Sequence, residues 1–279
     1  MKVYKTNADI IIEFNGEYFV STETDWDTLI NHDDLYARLQ KDIYKSTSAG
    51  DAEWFAERNL VAPIGTQEVW AAGVTYLRSK VARMEESKES GGATFYDKVY
   101  DAERPELFFK SLPHRVAGHD STVNIRKDST WNVPEPELTL VISSGGKIVG
   151  YTIGNDMSSR SIEGENPLYL PQAKVYDGSC AIGPRILLNE GMEEPMAIQM
   201  TIVRDRENIF TGATSTEKIK RPFQELADYL FREMSFPDGA FLLTGTGIVP
   251  PDDFTLQGGD TISITIEGIG TLENKVSNE

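Results

Sequence analysis

The sequence predicts an α+β protein in which β-structure dominates, and two observations carry that reading. Short runs rich in Val, Ile, Leu, Thr and Tyr recur along the 279 residues and are broken by Gly, Pro and Asn turns. Against them stands one long amphipathic helix, whose buried face is Phe223, Leu226, Ala227, Leu230 and Phe231, with Pro222 suited to its first turn.

Residues 1–62 read as a small α+β N-terminal domain. Alternating runs at 2–6, 10–14 and 18–22 are strands, with Asn15-Gly16 as a turn between two of them. Helical stretches follow at 26–30 and 34–44, where Leu35, Leu39 and Ile43 form an apolar stripe that must dock on a neighbour. No chemistry stands out there, so the module reads as a cap or an oligomerisation element. The larger domain, residues 63–279, opens with the strand EVWAAGVTY and a polar helix over 77–88. Residues 89–101 begin beside Gly91-Gly92 and read as a loop, either an active-site lid or an ordinary surface excursion. A strand at 107–109 follows, bounded by Glu106 and Lys110, and the histidines of SLPHRVAGHD read as surface residues. Residues 157–184 carry X-Pro steps and are expected to wrap as a long ordered loop rather than a helix. Strands at 185–188, 197–204 and 208–211 lead to the helix. A strand from Ala240 then ends in Gly245-Thr246-Gly247, and the last strand spans 260–267.

The candidate chemistry lies in WNVPEPELTLVISSGGKIVGYTIGND, residues 131–156. If Gly145 and Gly146 are a two-residue hairpin loop, opposite positions sum to 291, so Glu137 faces Gly154 and Glu135 faces Asp156. Opposite residues share a face, and so do residues two apart along a strand, so three carboxylates converge. Like charges that close repel, and a divalent cation resolves the conflict. Without His or Cys in the set, Mg2+ is favoured over zinc, with Mn2+ or Ca2+ as alternatives, and three protein ligands leave positions open for catalysis. The competing view is that PEPE is a solvated edge segment. The segment that carries Arg160 and Lys174 leaves directly from Asp156, so both can lie near the metal. Arg160 is placed to orient a ligand carboxylate, or else makes a surface ion pair.

Composition excludes several classes. A net charge of −17 repels phosphate backbones, so nucleic acid is not an expected partner. No apolar run approaches a membrane span, and MKVYKTNADI lacks the apolar core of a signal peptide, so no membrane partner and a cytoplasmic location are expected. The single Cys180 allows no intrachain disulfide and reads as a small buried hydrophobe.

PEPEL, GYTIGNDMSSR, QAKVYDGSCAIGP and LLTGTGIVP followed by GGDTISITIEGIGTL together resemble the catalytic domain of the fumarylacetoacetate hydrolase superfamily, over roughly residues 68–272. Within it, RPELFFK, ENPLYLPQAKVY and TGTGIVP are similar to a branch of sugar-acid dehydratases. The resemblance implies a mixed β-roll or sandwich-like catalytic domain, a Mg2+ ion at Glu135, Glu137 and Asp156, a 2-keto acid substrate, and a homodimer or homotetramer. It also implies that Lys174 is the active-site lysine and Glu106 a catalytic carboxylate. Carbon-carbon hydrolases of the superfamily carry a histidine three residues after the tyrosine of a G-L-N-Y-like motif; in GVTYLRSK that position is Ser79. A hydroxyl is a poor base near neutral pH, so dehydration of a 2-keto-3-deoxy pentonate to 2,5-dioxopentanoate is expected. Carbon-carbon hydrolysis, keto-acid decarboxylation and a calcium-braced binding module are the alternatives. In the expected reaction Lys174 removes a C3 proton, Glu106 protonates the departing C4 hydroxyl, and Tyr76, Arg78 and Thr246 are candidate substrate contacts.

Overall fold

The computed structural model describes residues 1–45, 48–51, 54–55, 59–86, 92–190 and 195–278. The chain begins with strands β1 (Lys2–Lys5), β2 (Ile10–Phe14) and β3 (Glu17–Val20), then helices α1 (Trp26–Ile30) and α2 (Leu35–Ile43). Next come β4 (Glu68–Gly73), α3 (Leu77–Glu86), α4 (Ala93–Asp101), β5 (Glu106–Ser111), β6 (Val116–Ala117), β7 (Ser121–Val123) and β8 (Asn132–Val133). The hairpin strands β9 (Pro136–Ile142) and β10 (Ile148–Asp156) lead to β11 (Ser158–Ser159), α5 (Arg160–Glu165) and α6 (Leu170–Lys174). The remainder is β12 (Cys180–Leu188), β13 (Ala197–Arg204), β14 (Glu207–Ser215), α7 (Phe223–Phe231), β15 (Ala240–Leu243), β16 (Thr261–Ile266) and β17 (Gly270–Val276).

Strand dominates, as the sequence predicts. The large mixed sheet runs β3-β2-β1-β12-β10-β9-β15-β4-β5, and a five-stranded sheet runs β14-β13-β16-β17-β7. Alternation along β9 and β10 sends Leu138, Leu140, Ile142, Tyr151 and Ile153 to one face. There they meet Ile198, Met200, Ile202, Ile262, Ile264 and Ile266 of the second sheet, which gives the sandwich-like layer. The other face of the large sheet forms a second core. Val141, Val149, Val69, Phe241 and Ile182 pack there against Trp26, Leu29, Leu35, Leu39 and Ile43 of α1 and α2, the stripe that had to dock. The chain that leaves β5 at one edge returns as β6 to pair with β12 in parallel, so the sheet curls into a roll around this second core.

The first three strands extend this same sheet: β1 lies antiparallel to β12, with Lys2 opposite Leu187 and Val3 opposite Ile186. No helix among the described residues is long and apolar enough to cross a membrane.

Three expectations about elements need correction. Residues 93–101 of the expected loop form α4, because Tyr96 and Tyr100, four apart, give one helix face to bury; Tyr96 is covered. The start of that segment, 89–91, lies outside the described residues, as do 87–88 of the expected polar helix. Residues 157–184 hold two helices, α5 and α6, where a loop was expected. Ser159 caps α5 by accepting from the Ile162 amide, and Pro171 sits in the first turn of α6, where its missing N–H costs nothing. Finally, β16 is not the last strand: Gly268 and Gly270, both at positive φ, turn the chain back into β17.

The hairpin arrives at its expected register by an unexpected route. The Gly146 amide donates to the Ser143 carbonyl and the Ser143 amide to the Lys147 carbonyl, so the loop is longer than two residues and Ile148 faces Ile142, a sum of 290. A bulge before Gly150 adds the missing residue. From there Gly150 faces Val141, Tyr151 faces Leu140 and Gly154 faces Glu137, all summing to 291.

Candidate metal centre and active site

That register builds the centre. Along β9, Val141 lies in the apolar core of the roll, and two and four residues further on the same face come Thr139 and Glu137. The Asp156 amide donates to the Glu135 carbonyl (3.0 Å), which fixes the two residues side by side. One oxygen each from Glu135, Glu137 and Asp156 lies within 4.8 Å of the others, and all three residues are buried.

Each carboxylate has a basic or amide partner. Arg160 Nη2 donates to Glu135 Oε1 (2.6 Å), the Gly245 amide to Glu137 Oε2 (2.6 Å), and Lys110 Nζ pairs with Asp156 Oδ1 (2.5 Å). Gly245 presents its amide from positive φ (+89°), a conformation open to glycine, just after β15. Lys174 Nζ, fully buried at the end of α6, donates to Glu135 Oε2 (2.8 Å), Asp156 Oδ2 (3.0 Å) and Ser158 Oγ (2.6 Å), with the Phe108 ring 5.8 Å away. Arg83 of α3 pairs with Glu163 of α5, which tethers the helix that carries Arg160.

The electrostatics separate the two glutamates. Burial alone would raise the Glu135 carboxyl, but Lys174, Arg160 and Arg83 override it and hold the group well below the usual carboxylate range. Glu137 goes the other way: burial, then the charges of Asp156 and Glu135, push it well above that range. A water-excluded trio of hard oxygen donors, one of them resisting ionisation, is what a divalent cation relieves, so the donor set fits magnesium.

The remaining predicted residues divide. Glu106 and Phe108 share one face of β5, and the Phe108 ring beside Lys174 Nζ (5.8 Å) shows that this face looks at the centre; a bulge beyond Phe109 brings Lys110 to Asp156 as well. Oε2 of Glu106 is sealed from solvent with no hydrogen-bond partner among the described residues. Tyr76 is buried beyond the end of β4. Its hydroxyl also lacks a partner among the described residues, and burial together with the Glu137 charge raises its pKa. Thr246 is buried next to Gly245, but its hydroxyl is engaged with Ile248 (3.2 Å), which makes it a loop brace. Arg78 is exposed on α3, away from the buried carboxylates. Ser79 donates to the Tyr76 carbonyl (2.8 Å) and accepts from the Tyr76 amide (3.2 Å), so its hydroxyl is occupied in a local turn. Sequence reasoning missed Lys110, Ser158 and Gly245 as partners of the centre. No local pattern signals Lys110, because a bulge at the end of β5 interrupts the strand alternation there.

A Cβ added at Gly73 would lie 2.0 Å from Glu106 Oε2, the far end of a flexible side chain. Gly73→Ala should therefore fold normally yet push the carboxyl aside, with kcat falling towards that of Glu106→Gln. A Gly73→Ala enzyme with parental kcat would show that Glu106 does not act from this position.

A family model, fumarylacetoacetate (FAA) hydrolase C-terminal, matches residues 68–277. The chain belongs to the fumarylacetoacetate hydrolase family. Among family members it is 52% identical over 242 residues to the probable 2-keto-3-deoxyxylonate dehydratase of Haloferax volcanii, covering 86% of this chain and 82% of that one. It is 46% identical over 216 residues to the 2-dehydro-3-deoxy-D-arabinonate dehydratase of Saccharolobus solfataricus, covering 76% and 72%. Among solved structures of the fumarylacetoacetate hydrolase fold, it superposes on 2-keto-3-deoxy-D-arabinonate dehydratase complexed with magnesium and 2,5-dioxopentanoate. That match has a TM-score of 0.82 and 36% identity, with 99% of both chains covered.

Proposed function

We propose that the protein is a magnesium-dependent hydro-lyase that dehydrates a 2-keto-3-deoxy sugar acid, 2-dehydro-3-deoxy-D-arabinonate or a close pentonate, to 2,5-dioxopentanoate. The observation that carries this reading is the convergence of Glu135, Glu137 and Asp156 on the Lys174 ammonium, with the unpartnered carboxyl oxygen of Glu106 on the facing strand. The two dehydratase relatives, and the related structure with magnesium and 2,5-dioxopentanoate, support it.

Glu135, Glu137 and Asp156 would hold the ion. When bound, magnesium would supply charge stabilisation for the keto oxygen of a 2-keto acid as C3 loses a proton. Lys174 takes that C3 proton as a neutral amine. Its contact with Ser158 Oγ is the one that an ion on the Glu135 and Asp156 oxygens would leave in place, so its direction of approach is kept. Glu106 gives a proton to the C4 hydroxyl, which leaves as water, and its unpartnered Oε2 is open to that contact. The 2-oxo-3-ene that remains reaches 2,5-dioxopentanoate by proton shifts: a C5 proton leaves, C3 is reprotonated, and the C5 enol ketonises to the aldehyde. Tyr76 offers a buried hydroxyl to the substrate beside Glu137. Arg160 orients Glu135. The protein acts in the cytoplasm as a homodimer or homotetramer.

Ser79 argues against a carbon-carbon hydrolase, because its hydroxyl is committed within its own turn. The two activities are separated by incubating the protein and magnesium with 2-keto-3-deoxy-arabinonate and, separately, with an acylpyruvate. Formation of 2,5-dioxopentanoate from the first, with no pyruvate from the second, is expected. Pyruvate release alone would overturn the assignment.

A further inference from the structure

We infer that Lys110 is a positioning residue that leaves Asp156 a single oxygen to offer a metal, and that matching devices on Glu135 and Glu137 tune the centre to a small octahedral cation over calcium. The inference rests on the metal-binding reading above. Each carboxylate has one oxygen committed to an outer donor: Asp156 Oδ1 to Lys110, Glu135 Oε1 to Arg160, and Glu137 Oε2 to the Gly245 amide. On Glu135 and Asp156 the opposite oxygens are turned inward, where Lys174 Nζ meets Glu135 Oε2 at 2.8 Å and Asp156 Oδ2 at 3.0 Å.

Lys174 is the cation an incoming ion would displace, whereas an oxygen held by an outer donor that is itself anchored, as Lys110 is on two backbone carbonyls, is a poor metal donor, so each ligand is confined to one oxygen. Three such oxygens, with three positions left for water or keto acid, make six, which is what magnesium demands. Calcium takes up to eight, commonly through carboxylates that bind with both oxygens. Lys110 is built for this task. Its ammonium is anchored by hydrogen bonds to the Met157 carbonyl (3.1 Å) and the Lys174 carbonyl, and from that anchorage it ion-pairs with Asp156 Oδ1. The side chain is fully buried, so water cannot replace any of them. One residue therefore fixes both the turn of a metal ligand and the backbone of the proton-transfer lysine.

The test titrates metal-free parent and Lys110→Met protein with magnesium and with calcium by calorimetry, after circular dichroism has confirmed folding. Loss of the ammonium removes a positive charge and can raise both affinities together, so the diagnostic quantity is their ratio. The magnesium-to-calcium ratio is expected to shift towards calcium by roughly tenfold, with kcat falling about 10- to 100-fold and KM changing less. Arg160→Met, which frees Glu135 Oε1, must shift the ratio in the same direction and serves if the Lys110 variant does not fold. A parental ratio in whichever variant folds would overturn the inference. A parent that binds neither cation would instead overturn the metal-binding reading itself.

Discussion

Replacing Lys174 by methionine is expected to lower kcat by about 10²- to 10⁴-fold, the usual worth of a positioned proton-transfer group, while magnesium still binds. Lys174 Nζ occupies the inward oxygens of Glu135 and Asp156, so its removal leaves them open to the ion and should not weaken binding. Loss of the fold is not the expected cause, because methionine retains the buried stem beside Phe108. The two proton transfers can be separated with 2-oxobutyrate in deuterated water, since exchange at C3 needs a base but no leaving hydroxyl. Parent and Glu106→Gln should both exchange the C3 proton; Lys174→Met should not. Exchange that survives in Lys174→Met would transfer the role of base to another residue.

The second large effect falls on Glu137. Substitution by glutamine keeps an oxygen for the Gly245 amide and removes a buried charge, so the variant should fold and yet lose its magnesium response. Losing several kcal/mol of charge stabilisation corresponds to a fall in kcat of roughly 10³-fold or more. Stability should move in the opposite direction. Because burial and two neighbouring carboxylates raise the Glu137 pKa, the folded protein holds this proton more tightly than the unfolded chain does. Its contribution is thus fully present below the ordinary carboxyl value of about 4.3 and is lost as pH rises through the folded value. Metal-free Glu137→Gln should be at least as stable as the metal-free parent at neutral pH and should lack this component of the decline. Magnesium at a hundredfold excess over its Kd should stabilise the parent by about 2.7 kcal/mol, or roughly 5 to 10 °C in Tm, and leave the variant unmoved. Thermal melts with and without magnesium across pH check both signs.

The centre was legible in the sequence because strand geometry is a matter of counting. Once the return strand was recognised, Glu135, Glu137 and Asp156 followed from alternation, although the loop assumed for it was wrong: a longer turn and a bulge before Gly150 cancel. Local turn chemistry is therefore a weaker guide than the match of two apolar faces, which tolerates one register only. Long-range partners were not legible. Lys110 reaches Asp156 because β6 returns to β12 and curls the sheet, a closure that no local pattern announces. Nor could the first strands be seen to pair with β12, since an edge strand reads the same whichever sheet receives it. The proline-rich segment misled because proline breaks a helix only in its interior; in the first turn of α6 it is at home.

Anomalous diffraction from a crystal soaked with manganese and 2-oxobutyrate tests the central claim most directly. The account requires one manganese peak enclosed by Glu135, Glu137 and Asp156, with the keto acid beside it and C3 facing Lys174 Nζ. Manganese bound elsewhere, or a keto acid whose C3 faces away from Lys174, would contradict it.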